Sequence, residues 1–181
     1  MIKSVNVSLE IIPCGMGDAE IISEVAIRSY KDFYLRLWHD DGSWYIDRSF
    51  SLPVIEKELK DPNHVFFLLK EAEEPIGFLK LNLNQPLSGF DACDCIELER
   101  IYLIKSATWK GYGRQAMNFC LDYANEVNKD IIWLKAMDTS DAVGFYQAIG
   151  FHHCGTKTLD FSMMKKEFRG MVIMMKRLSK I

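Results

Sequence analysis

The sequence predicts one mixed α/β domain over residues 1–181: a single central sheet of about seven strands with about four helices on its two faces. Three observations carry this. The length fits one domain, since domains most often run to about 100–200 residues. No internal repeat, low-complexity tract or Pro/Gly-rich linker divides the chain. The hydrophobic periodicity reads in the order β-α-α-β-β-β-α-β-α-β-β, and such mixing points to helices packed on both faces of one sheet.

Element by element, residues 5–11 alternate apolar and polar side chains, the period of a strand. From Asp18 to about Leu35 apolar residues recur at helical spacing, with Asp18 as a candidate cap. A polar turn, residues 39–43, leads into an aromatic-rich stretch, 44–50. Residues 53–59 read as a short helix, with Pro53 near its start, where the missing N–H does no harm. Residues 65–70 and 76–82 form a hairpin-like pair of strands. Residues 85–94 read as loop, 95–104 as strand, 111–127 as a long helix, 131–137 as strand and 140–149 as a short helix. Two further strands, 151–161 and 171–177, complete the order.

Composition narrows the function. Hydrophobic residues make up 49% and charged residues 26%, the balance of an ordinary globular protein. A net charge of −3 argues against a nucleic-acid partner, which usually meets a basic face. No run approaches about 18 apolar residues and no signal peptide is indicated, so a cytoplasmic chain off the membrane is expected. The five cysteines, an odd number, lack metal-site spacing and read as free thiols; no metal is expected.

The informative segment is 95–151. A strand feeds Thr108-Trp109-Lys110-Gly111-Tyr112-Gly113-Arg114 at a helix start. Unpaired N–H groups and the positive helix end make such a turn a diphosphate site. Gly111 and Gly113 allow close backbone approach, and Lys110 and Arg114 add charge. On this fragment alone, an ordinary strand-to-helix turn stays open. The match to the dinucleotide fingerprint GxGxxA is weak, because too little sequence follows for the second half of a doubly wound fold.

Further on, Trp133-Leu134-Lys135-Ala136-Met137 precedes a short helix carrying Ala142-Val143-Gly144-Phe145-Tyr146, then Gly150-Phe151. This ending resembles that of the GNAT acetyltransferase superfamily, and the turn before it resembles that superfamily's Q/R-x-x-G-x-G/A pyrophosphate loop. Ile96-Glu97-Leu98-Glu99-Arg100-Ile101-Tyr102-Leu103, Phe78-Leu79-Lys80-Leu81-Asn82, Ile132-Trp133-Leu134 and residues 172–178 are similar to PaiA-like spermidine/spermine acetyltransferases. The resemblance implies a GNAT fold with strands 4 and 5 splayed, and acetyl-CoA as co-substrate. It implies acetyl transfer to a primary amine, a polyamine or other small amine, by direct attack in a ternary complex. The rival readings are a protein or peptide N-acetyltransferase of the same fold and a non-catalytic acyl-CoA-binding module. A homodimer is compatible, as the family often dimerises. Two positions depart: Thr108 stands where the family has Gln or Arg, and Thr139 where it commonly has Asn. The first predicts weaker cofactor binding, and the second leaves one cofactor or substrate contact open.

Carried over residue by residue, the resemblance implies that Ile101, Tyr102 and Leu103 meet the pantetheine arm through backbone groups. Residues Thr108 to Arg114 would hold the pyrophosphate, with Thr139 and Phe145 as further cofactor contacts. Tyr146 matches the general acid for the departing thiolate. An alkylamine with a pKa of about 10 arrives protonated and needs a base. Glu97 is the first candidate for that base and Glu99 the second, although pairing with Arg100 stays an alternative for both. Strict alternation puts Glu97 and Glu99 on one strand face with Ile101 and Leu103, and Leu98, Arg100 and Tyr102 on the other. For the acceptor, Asp40, Asp41, Trp44, Tyr45, Asp91 and Asp94 combine carboxylates with aromatic rings, a mixture that suits an ammonium group.

Overall fold

The computed structural model describes residues 8–179. Seven strands form one sheet in the order β1-β2-β3-β4-β5-β7-β6. The strands are β1 (Leu9–Pro13), β2 (His64–Glu71), β3 (Glu74–Leu83), β4 (Cys95–Leu103), β5 (Ile131–Met137), β6 (His152–Thr158) and β7 (Gly170–Arg177). The helices are α1 (Ala19–Lys31), α2 (Ser43–Phe50), α3 (Leu52–Leu59), α4 (Tyr112–Glu126) and α5 (Ala142–Ala148). The expected order holds, with one addition: the aromatic-rich stretch is itself a helix, α2. Residues 5–7 of the first expected strand lie outside the described residues; among those described, the strand is Leu9–Pro13. Asp18 does not cap α1 through its side chain but accepts the Gly15 N–H at 2.8 Å, closing the turn before the helix.

Neighbouring strands pair antiparallel except β4 and β5, which run parallel. That seam is short, from Cys95 beside Ile131 to Leu98 beside Leu134. Beyond it, β4 stays with β3 and β5 stays with β7, so the sheet opens into a gap. The opening begins at a bulge. Leu81 faces Leu98, but Lys80 faces Arg100, leaving Glu99 as the extra residue on β4. A bulge bends its strand and increases its twist, which swings the end of β4 away from β5.

Apolar side chains bury both faces. On one, Phe67 of β2 meets Phe119 and Tyr123 of α4 with ring centroids 4.8 and 5.2 Å apart. On the other, Phe78 stacks on Tyr102 at 5.6 Å, and Phe50 of α2 packs on the same tyrosine at 5.9 Å. Gly77 lets β3 and β4 meet closely here, since a Cβ at that position would stand 2.2 Å from the Tyr102 carbonyl oxygen. No helix among the described residues is long and apolar enough to cross a membrane.

Candidate active site

The gap between β4 and β5 opens into a cavity of about 600 Å³ that Tyr146, Glu97, Glu99, Asn82, Lys135 and Tyr102 help to line. Ile104 N–H donates to Ile76 O at 2.8 Å, so Ile104 turns its backbone toward β3. Successive residues of a strand point these groups to opposite sides. Ile101 and Leu103 therefore turn their N–H and C=O groups toward the gap, where β5 no longer pairs with them. Tyr102 instead turns its backbone toward Phe78 of β3, which corrects the expectation that all three offer backbone groups to the gap.

The bulge rearranges the side chains that sequence alternation had assigned. Glu97, Glu99, Arg100 and Tyr102 share one face, which corrects the expectation that Arg100 and Tyr102 lie opposite the two glutamates and that Ile101 and Leu103 lie with them. The charged residues form a buried network. Asn82 Nδ2 donates to Glu97 Oε2 at 2.9 Å and to Glu99 Oε2 at 2.8 Å. Lys80 Nζ lies 2.6 Å from Glu99 and 2.8 Å from Glu58. Arg100 spans Glu58 at 2.7 Å and Glu99 at 3.2 Å. Lys135 Nζ stands 2.5 Å from Glu97 Oε1 as a charge contact, without hydrogen-bond alignment. The three carboxylates thus balance three cations. Burial alone would raise the Glu99 carboxyl, but Arg100, Lys80 and the Asn82 amide overcome it and hold the group down to about 2.

Tyr146 reaches the cavity from α5, against Phe145 and Phe151. Burial pushes its phenol well above the ordinary value, reinforced by Tyr34 and Cys120, so it stays protonated at neutral pH and can donate. Burial likewise pushes the Cys120 thiol up to about 12, which removes it as a nucleophile.

At the start of α4, Gly111 takes φ +83° and no side chain caps the helix, so the first N–H groups face outward. Thr108 Oγ1 donates back to Lys105 O at 2.7 Å. Trp109 holds φ +65° with its ring fully exposed. Lys110 Nζ pairs with the Glu71 carboxylate at 2.8 Å, and Tyr112 Oη donates to the same group. Arg114 and Thr139 are exposed. Of the residues expected to meet the acceptor, only Tyr45 lines the cavity. Asp40 instead accepts the N–H groups of Gly42 and Trp44 at 3.2 and 2.7 Å, fixing the entry to α2. Asp41 lies in that turn at φ +53°, and Trp44 packs on Phe161 at 5.3 Å. Asp91 and Asp94 flank a 3₁₀ turn before β4, outside the cavity lining.

The family model for "Acetyltransferase (GNAT) family" matches residues 24–151. The chain belongs to the GNAT acetyltransferase family. GNAT enzymes take their acetyl group from acetyl-CoA. A PaiA N-acetyltransferase from Thermoplasma acidophilum, solved with coenzyme A, superposes with a TM-score of 0.70 at 22% identity, over 94% of this chain and 99% of that one. A spermidine N-acetyltransferase from Vibrio cholerae, solved with CoA and spermine, gives 0.70 at 20%, over 95% and 96%. In sequence, the chain is similar to an uncharacterized N-acetyltransferase in the pepI 3′ region of Lactobacillus delbrueckii subsp. lactis. They are 28% identical over 112 residues, 61% of this chain and 65% of that protein. At these identities the structural neighbours speak for the GNAT fold alone.

Sequence reasoning missed Lys80, Asn82 and Lys135 as members of the site. The signal was present in Phe78-Leu79-Lys80-Leu81-Asn82: two polar residues at i and i+2 in an otherwise apolar, buried strand must share a face and find partners there.

Proposed function

We propose that this GNAT chain transfers acetyl from acetyl-CoA to the nitrogen of a small primary amine, by direct attack in a ternary complex. One observation carries it: a single cavity brings the unpaired end of β4, a protonated buried tyrosine and two carboxylates to the same gap. The amine lone pair attacks the thioester carbonyl carbon and forms the C–N bond. The carbonyl π pair moves to oxygen, where the N–H of Leu103 or Ile101 stabilises the oxyanion. Collapse breaks the C–S bond, and Tyr146 protonates the leaving thiolate. The amine proton passes to Glu97, directly or through water. Glu99, held down to about 2 by its cations, is a poor proton acceptor.

The pyrophosphate of the cofactor would lie on the N–H groups of residues 111–114, with Arg114 free to add charge and Lys110 exchanging its Glu71 partner for phosphate. Thr108, turned toward Lys105, contributes no side-chain contact in this arrangement, consistent with weaker binding. A cavity of about 600 Å³ suits a small molecule better than a peptide. Tyr146 in the cavity lining weighs against a silent acyl-CoA-binding module. A polyamine is one acceptor the reading admits, supported by the spermidine acetyltransferase among the fold neighbours.

Initial rates over both substrates should give intersecting double-reciprocal lines. Tyr146→Phe should lower kcat by about a hundredfold with acetyl-CoA affinity unchanged. Parallel lines would contradict direct attack, and an unimpaired variant would remove Tyr146 as the acid.

A further inference from the structure

Asn82 is 7% exposed and lines the cavity. Both hydrogens of its amide go to carboxylates, one to Glu97 and one to Glu99, which fixes its orientation: a flipped amide would set its oxygen against two anions. Its Oδ1 is buried with no protein partner. A carbonyl-type oxygen can only accept, so a ligand group meeting it must bring an N–H or O–H. The two carboxylates beside it are already engaged, Glu97 by Lys135 and Glu99 by Lys80 and Arg100. Among the described residues no other carboxylate lines the cavity, whereas Lys157 adds a further cation to the lining.

We infer that Asn82 Oδ1 binds the acceptor nitrogen, and that the site takes an acceptor with one amine group rather than a polycation. The inference rests on the transferase reading and names its acceptor class. An amide oxygen holds an N–H without the full negative charge that would favour ammonium, so the nitrogen keeps its lone pair for attack. A polyamine would bring two or more further positive charges into a lining whose carboxylates are matched and whose remaining charged group is a lysine. A neutral or anionic tail avoids that repulsion, and an anionic one gains Lys157.

The test compares butylamine, γ-aminobutyrate, putrescine and spermidine as acceptors for the wild-type chain, then repeats the best acceptor with Asn82→Ala. The expected result is a kcat/KM for a mono-amine at least about tenfold above spermidine. In Asn82→Ala the amine KM should rise about tenfold, while acetyl-CoA Kd by calorimetry stays put, a split that a merely structural role would not produce. Spermidine as the best acceptor, or an unchanged amine KM in the variant, overturns the inference and leaves the transferase standing. If Asn82→Ala does not fold, the wild-type panel decides alone. Acetyl-CoA bound without turnover of any amine by the wild type overturns both.

Discussion

Charge at single residues sets how this site responds to acid. Glu99 is the clearest case, a largely buried carboxylate whose two cations hold it down to about 2. Its folded pKa lies below the unfolded value of about 4.3. The folded state therefore binds its proton less readily than the unfolded one. The stability this contributes is present above about pH 4.3 and is lost as pH falls through about 2. Chemical denaturation followed between those limits should show stability falling with acidification. Glu99→Gln should flatten that slope, while weakening the fold near neutrality because Lys80 and Arg100 lose a partner. An unchanged slope would mean that Glu99 is not held low. At this scale the sequence was legible for Glu97, Glu99 and Tyr146, each of which lines the cavity. The spacing of Lys80 and Asn82 marked a shared polar face without naming its partners, and Lys135 carried no signal, because its importance comes from which strand lies beside it.

Strands and turns decide where those residues point. The bulge at Glu99 gathers Glu97, Glu99 and Arg100 into a cluster, and the adjacent charged pair Glu99-Arg100 breaks the apolar-polar alternation that β4 carries from Ile96 to Glu99. Such a break also fits two charged residues on opposite faces of a regular strand, and only the pairing with β3 decides for a bulge. The helix α2 was hidden for a related reason. Its aromatic residues pack against Tyr30, Trp38 and Phe161 from several sides, which blurs any helical stripe. By contrast α4 carries helical periodicity and the hairpin β2–β3 shows two apolar runs around a polar turn, and both emerged within two residues. Gly77 is the element-level contact that holds the free end of β4 in place. Gly77→Ala would set a methyl against backbone at 2.2 Å, and backbone there cannot yield without moving β4. Thermal unfolding should show a loss of at least about 1–3 kcal/mol, with acetyl-CoA affinity falling too because Ile101 and Leu103 shift. A variant of wild-type stability would mean that the two strands approach less closely.

Across the whole molecule, a seam of four paired positions joins two halves of the sheet, β1 to β4 and β5 to β7. The gap above that seam leaves strand edges unpaired inside the protein, a costly arrangement unless a ligand completes it. The pantetheine arm would supply that pairing. Acetyl-CoA at about a hundred times its Kd should then add about 2.7 kcal/mol to stability. Hydrogen exchange should slow most in residues 99–103 and 135–137. Protection confined to the α4 start would show that the cofactor docks by its phosphates without entering the gap. The splayed sheet was readable from sequence only through family resemblance, since parallel and antiparallel neighbours look alike in one chain's pattern.

Acetyl transfer to an amine at this gap can be followed as thiol release from acetyl-CoA with and without added amine, with the product identified by mass. Release should depend on amine, saturate with it, and yield the N-acetylated amine in equal amount. Release that ignores amine, or acetyl-CoA that binds and stays intact with every amine offered, would contradict such transfer.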